Sequence, residues 1–178
     1  MAMFILAVAP PALAADPAAG FLTRLFITVC VQNLGQPAKV RQWADEHHLA
    51  PNEDPAALGL FVGPGGKGAA WAIRTEIGSF AFSIRGMTQA CAVWAREANP
   101  DEATTNFRAI IEGVKRPGIN VTIDRDRFAQ SPVGRTHMLV YNVTKPNAPT
   151  SFEFTLLTAE RTGGAFQVSM QAAKASAH

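Results

Sequence analysis

The cysteines and histidines are the residues of this chain best equipped for chemistry, and Cys91 is the first to test. Gln89-Ala90-Cys91 matches the opening of a caspase-type nucleophile motif, with His47 and His48 upstream in the order that motif uses. The match then ends. Ala92 and Val93 stand where the motif needs a small polar or basic residue and then a glycine, and Val93 and Trp94 mark the segment as strand core. The other chemistry open to Cys91 is pairing with Cys30. An even cysteine count in an exported chain favours a disulfide. The alternative is two buried core thiols. A bridge would close a loop of about 60 residues, worth roughly 4 kcal/mol in chain entropy.

His47 and His48 follow Asp45 and Glu46, a grouping that suggests metal ligation. Adjacent helical residues diverge by about 100°, unlike the i, i+4 pair of a zinc helix, so a solvated helix end is expected. His137 stands far away in the chain, and only the fold can bring it to them. Gly63-Pro64-Gly65-Gly66-Lys67-Gly68 resembles a phosphate-cradling loop, but Phe61 stands where a P-loop needs glycine and Gly68 where it needs Ser or Thr. Asp124-Arg125-Asp126-Arg127 interleaves arginines with its carboxylates, which suits a mutually paired, solvated turn better than a calcium loop. Asn120-Val121-Thr122 and Asn142-Val143-Thr144 are glycosylation acceptors in form, but both fall in expected strands. No serine nucleophile elbow, zinc-helix motif or dinucleotide fingerprint occurs. No catalytic, metal-ligating or cofactor-binding residue is therefore assigned. What remains is a polar strand face of Arg74, Ser83, Arg85, Arg96, Glu153, Thr155, Gln167 and Ser169. Arg74, Arg85 and Arg96, together with His137, are the candidate ligand-binding residues, since arginine grips carboxylate and phosphate at two points.

The elements that must position these groups are legible from periodicity. Phe21, Leu22, Leu25, Phe26, Val29 and Cys30 recur at helical spacing over residues 17–33, and Val40, Trp43, Ala44 and His47 share a face of a second helix over residues 37–49. Residues 50–68, with three prolines and five glycines, read as a long loop. The period then changes to two, giving strands around Trp71–Thr75, Phe80–Ile84 and Cys91–Trp94 joined as a meander. A helix follows, capped by Asn99 with Pro100 at its first position and Glu102 three residues from the cap, its apolar face made by Phe107, Ile110, Ile111 and Val114. Four further strands are expected over residues 120–124, 136–143, 151–158 and 165–170, the last two apolar on one face and polar on the other. The result is an α+β domain: an antiparallel sheet of about seven strands in two meanders, three plus four, with helices on one face and one disulfide.

At the N-terminus the apolar run from Met3 to Ala9, Pro10-Pro11 and Ala12-Leu13-Ala14 form a secretory signal peptide in pattern, with cleavage expected after Ala14. No basic residue precedes the run, and no cysteine at the cut offers a lipid anchor. Residues 15–178 then form a single domain, its alanine-rich end at 171–178 expected as a flexible tail. No later segment is long and apolar enough to span a bilayer. Sixteen basic against 14 acidic residues, scattered along the chain, exclude nucleic acid as an expected partner.

The helix ending in Cys30, the Trp43 helix, the glycine-rich approach to Trp71, the strand Cys91-Ala92-Val93-Trp94 and the Phe107 helix together resemble a family of uncharacterised exported proteins and lipoproteins of Gram-negative bacteria, across nearly the whole mature chain. The resemblance implies export and a disulfide and transfers no activity. The sequence thus describes a periplasmic or secreted, soluble domain of a binding or accessory kind, with no cofactor, whose partner is an unidentified protein or small molecule. Two alternatives stand: a hydrolase whose site assembles only in three dimensions around His137 or the arginines, and a cell-envelope assembly factor making contact through residues 50–68.

Overall fold

Four α-helices occur among the described residues, and each begins with a proline whose fixed φ suits the first helical position: Pro17, Pro37, Pro55 and Pro100. Three of them also carry a side-chain cap. The computed structural model describes residues 15–63, 67–86, 88–146 and 148–176; the expected signal peptide, residues 1–14, lies outside them.

Helix α1 (Pro17–Leu25) passes directly into a π-helical segment, Phe26–Val31, in which Gln32 donates its N–H to the carbonyl of Ile27 at 3.0 Å. Ile27, Thr28, Val29 and Val31 in this segment are β-branched, which slightly weakens the preference for a regular helix. Helices α2 (Pro37–Glu46) and α4 (Pro100–Val114) lie on the same side of the sheet. The starts of α1 and α4 are interlocked. Asp16 accepts from the N–H groups of Ala18 and Ala19 in its own helix and from that of Asn99, which caps α4 (2.5 Å), while Glu102 accepts from the N–H of Asp16 (2.7 Å). The capping box expected within α4 is therefore shared between two helices. Asn99 holds the N–H groups of Asp101 and Glu102 as predicted, but the Glu102 carboxylate serves Asp16.

The strands are β1 (Gly68–Thr75), β2 (Gly78–Arg85), β3 (Cys91–Ala95), β4 (Asn120–Ser131), β5 (Gly134–Thr144), β6 (Thr150–Ala159) and β7 (Val168–Ser176). They form one antiparallel sheet in the order β1-β2-β3-β7-β6-β5-β4, so the two expected meanders are sealed by a β3–β7 pairing. The core lies between this sheet and α1, the π-helical segment, α2 and α4. Phe26, Phe82, Phe107, Phe154, Leu139, Leu156 and Met170 are fully buried there. Cys30 and Cys91 form the disulfide, with Cα atoms 5.3 Å apart, pinning the π-helical segment to β3.

Three segments depart from the sequence expectation. Within residues 50–68 lies helix α3 (Pro55–Val62), capped by Asp54. It is two turns long and apolar nearly all round, so it shows no stripe. It packs Phe61 and Val62 against Ala70 and Ala81 on the opposite face of the sheet. Residues 124–127 are not a turn: they sit inside β4, where a bulge between Ile123 and Arg125 shifts the register against β5. The interleaved charges belong to a sheet edge, where they discourage a further strand from adding. Residues 171–176, expected in a loose tail, complete β7 instead. Ala172 lies opposite Cys91 on one side and Phe154 on the other. Alanine has little strand propensity, and backbone pairing on both sides decides the outcome.

Candidate functional site

Among the clefts formed by the described residues, two stand out for the side chains they bring together. They lie at opposite ends of the sheet.

The first is a groove of about 370 Å³ between α1, α2 and β1, lined by Phe21, Arg24, Leu25, Thr28, Trp43, His47, Leu49 and Ile73. The wall made by α1 and the π-helical segment follows from helical spacing, because Phe21, Arg24 or Leu25, and Thr28 stack one turn apart. Phe21 is held by the ring of Phe80 at 4.6 Å. On the α2 wall Trp43 and His47 are an i, i+4 pair with rings stacked at 3.9 Å, and Trp43 meets Phe82 edge-on at 5.3 Å. His47 Nδ1 is 2.7 Å from the carbonyl oxygen of Trp43. A carbonyl only accepts, so Nδ1 carries the hydrogen, and in the neutral ring Nε2 is left as an acceptor. His48 then takes a left-handed conformation (φ 55°). Its N–H reaches Asp45, and that of Leu49 reaches Ala44. This is a Schellman helix end, and it folds Leu49 back into the groove.

The second place is a cleft of about 280 Å³ beside the start of α4, lined by Pro100, Asp101, Phe128, Arg135, His137, Thr158 and Glu160. The β4–β5 register sets Phe128 opposite His137 and Asp126 opposite Leu139, which puts Asp126, Phe128 and His137 on the helix-covered side. His137 is buried and its Nε2 lies 2.7 Å from Asp126 Oδ1. Arg108 of α4 donates to Asp126 Oδ2 at 3.0 Å and to the hydroxyl of Tyr141 at 3.1 Å. The hydrogen bond from His137 lowers the pKa of the Asp126 carboxyl most, joined by the hydrogen bond from Arg108 and the charges of both, while partial burial opposes them. The ionised carboxylate only accepts, so Nε2 of His137 carries a hydrogen. Phe128 stacks on His137 at 4.2 Å, and the Arg135 guanidinium sits 3.7 Å from the Phe128 ring centre. A histidine oriented by a carboxylate can serve as a general base. Among the described residues no hydroxyl or thiol is hydrogen-bonded to it, and Asn99 already occupies two of the N–H groups at the start of α4.

The four candidate ligand residues do not converge. Arg74 and Arg85 share a sheet face but stand near opposite ends of β1 and β2, roughly 20 Å apart along the strands. Arg85 Nε donates to the carbonyl of Phe61 at 3.3 Å and so anchors α3. Arg96 follows β3 and is exposed. His137 faces the other side of the sheet, three strands away from β3 in the order β3-β7-β6-β5. Two members of the expected wet face are buried: Ser83 accepts from Trp94 Nε1 (3.2 Å), and the side chain of Gln167 accepts from the N–H of Ala98 (3.1 Å). His47 and His48 end a helix as expected, and among the described residues no three His, Cys, Asp or Glu side chains cluster to hold a metal ion.

Compared with protein-family models, curated proteins and solved structures, the chain matches none.

Proposed function

We propose that this chain is an exported, disulfide-held domain that binds a small, largely apolar molecule in the groove between α1, α2 and β1. The observation that carries this is the groove itself. Its volume is within the range of ligand sites, its walls are mainly aromatic and aliphatic, and its few polar groups are the side chains of Arg24, Thr28 and His47. The Cys30–Cys91 bridge supports export to an oxidising compartment, where such bonds persist. Titration with the uncharged apolar fluorophore N-phenyl-1-naphthylamine tests the site. Saturable one-site binding is expected, and Thr28→Trp, a change at an exposed position on the wall, should weaken it at least tenfold with the thermal midpoint unchanged. Equal binding by both proteins would remove the groove as the site.

A second reading has one observation in its favour: His137 is paired with Asp126 beside a cleft, the arrangement a hydrolase would use to orient a base. Hydrolysis of p-nitrophenyl esters that disappears in His137→Ala would establish it. Absence of turnover in the unaltered protein would leave the pair as a link between the β4–β5 hairpin and α4.

A further inference from the structure

We propose that the groove selects a single-chain carboxylate, with Arg24 as the partner of its head group; the inference presupposes that the groove is a binding site. Arg24 and His47 are the basic side chains in the lining, and no acidic side chain lines it. Among the described residues Arg24 is exposed and takes part in no ion pair, whereas Arg108, Lys115 and Arg125 are each matched with a carboxylate. Its guanidinium lies back along α1 over Gly20, with Nη1 3.5 Å from where a Cβ on that residue would stand. An unpaired arginine on a mainly apolar wall offers two parallel donors to a carboxylate, and no fixed negative charge in the lining competes for them.

The opposite wall accounts for the tail. Trp43, Leu49 and Ile73 present rings and branched carbons, and the Nδ1–H of His47 is already committed to the Trp43 carbonyl. A chain crossing from Arg24 towards Trp43 therefore meets apolar surface. A cationic head would face Arg24 without compensation, and an uncharged head would leave the guanidinium to water.

The test is calorimetric titration with octanoate, 1-octanol and octyltrimethylammonium on the unaltered protein, Arg24→Gln and Thr28→Trp. Octanoate should bind about tenfold tighter than octanol, one charge-assisted contact at a solvated rim, and octyltrimethylammonium should bind weakest. Arg24→Gln should erase the advantage of octanoate and leave octanol unchanged. Equal affinity for octanoate and octanol, an octanoate affinity indifferent to Arg24→Gln, or no binding of any of the three would overturn the ligand class while the fluorophore titration still stands for the groove. Binding of all three that survives Thr28→Trp would overturn the groove as well.

Discussion

The two ends of the sheet are stabilised in different ways. Strands β1–β3 are covered twice, by α1, the π-helical segment and α2 on one face and by α3 on the other, and a disulfide ties β3 to the helical layer. Strands β4–β6 are covered once. Their helix-facing side ends in a polar chain, His137–Asp126–Arg108–Tyr141, and β4 is an exposed edge with Ile123 at 55% and Phe128 at 53% of full accessibility. The apolar groove belongs to the doubly covered end. A groove keeps its shape only when its walls are fixed from behind, and the disulfide, Phe80 and Phe82 do that here.

The largest expected effect strikes the covered end. Replacing Cys30 and Cys91 with serine removes a cross-link spanning 61 residues of chain separation, and urea unfolding should show a loss of roughly 4 kcal/mol. A loss under about 1 kcal/mol would mean that packing alone holds the two layers together. Next comes Gly68→Ala. A Cβ there would stand 2.7 Å from Val62 Cγ1 and collide with the carbonyl oxygen of Ile84, because α3 and β2 both close on this glycine. Overpacking of this kind costs about 1–3 kcal/mol. Hydrogen exchange should quicken in α3 and β1 and stay unchanged in β4–β6; a uniform increase would show that the two ends unfold as one unit.

The smallest effect is expected at the singly covered end, and it depends on pH. The carboxyl of Asp126 is held below its ordinary value of 3.8 in the folded protein. As the pH falls through about 4 the unfolded chain takes up this proton first, so the stability Asp126 contributes is present above that range and is lost below it. Asp126→Asn should cost at most about 1 kcal/mol at pH 7, since the pair is solvent-screened, and its thermal midpoint should approach that of the unaltered protein by about pH 3. A gap that persists unchanged in acid would mean that Asp126 acts through packing rather than charge.

Local signals accounted for much of the architecture. Asn99-Pro100 and its apolar stripe marked α4, alternation marked β2, β3 and β6, and the resulting α+β sheet with one disulfide is the fold observed. Helix α3 had a readable start in Asp54-Pro55, but two apolar turns among glycines carry no period to detect. The charged run at 124–127 reads as a turn because charge alternation looks alike in a turn and on a strand edge; only the neighbouring β5 makes it a strand. Trp43 and His47 were visible as members of a helix face. Leu49 was not, because a histidine in the left-handed conformation carries no sequence mark comparable to glycine.

By itself the sequence determined most element types and the Asn99 cap, though not α3, the charged stretch of β4 or the end of β7, since these signals depend on neighbours a few residues away. The Cys30–Cys91 bridge was expected from the sequence, but tertiary structure alone decided that β7 inserts beside β3, that His137 finds Asp126 and Arg108, and that Arg74, Arg85 and Arg96 stay apart. These are pairings between distant parts of the chain. They are selected by which faces can be buried together, and no short-range pattern encodes that choice.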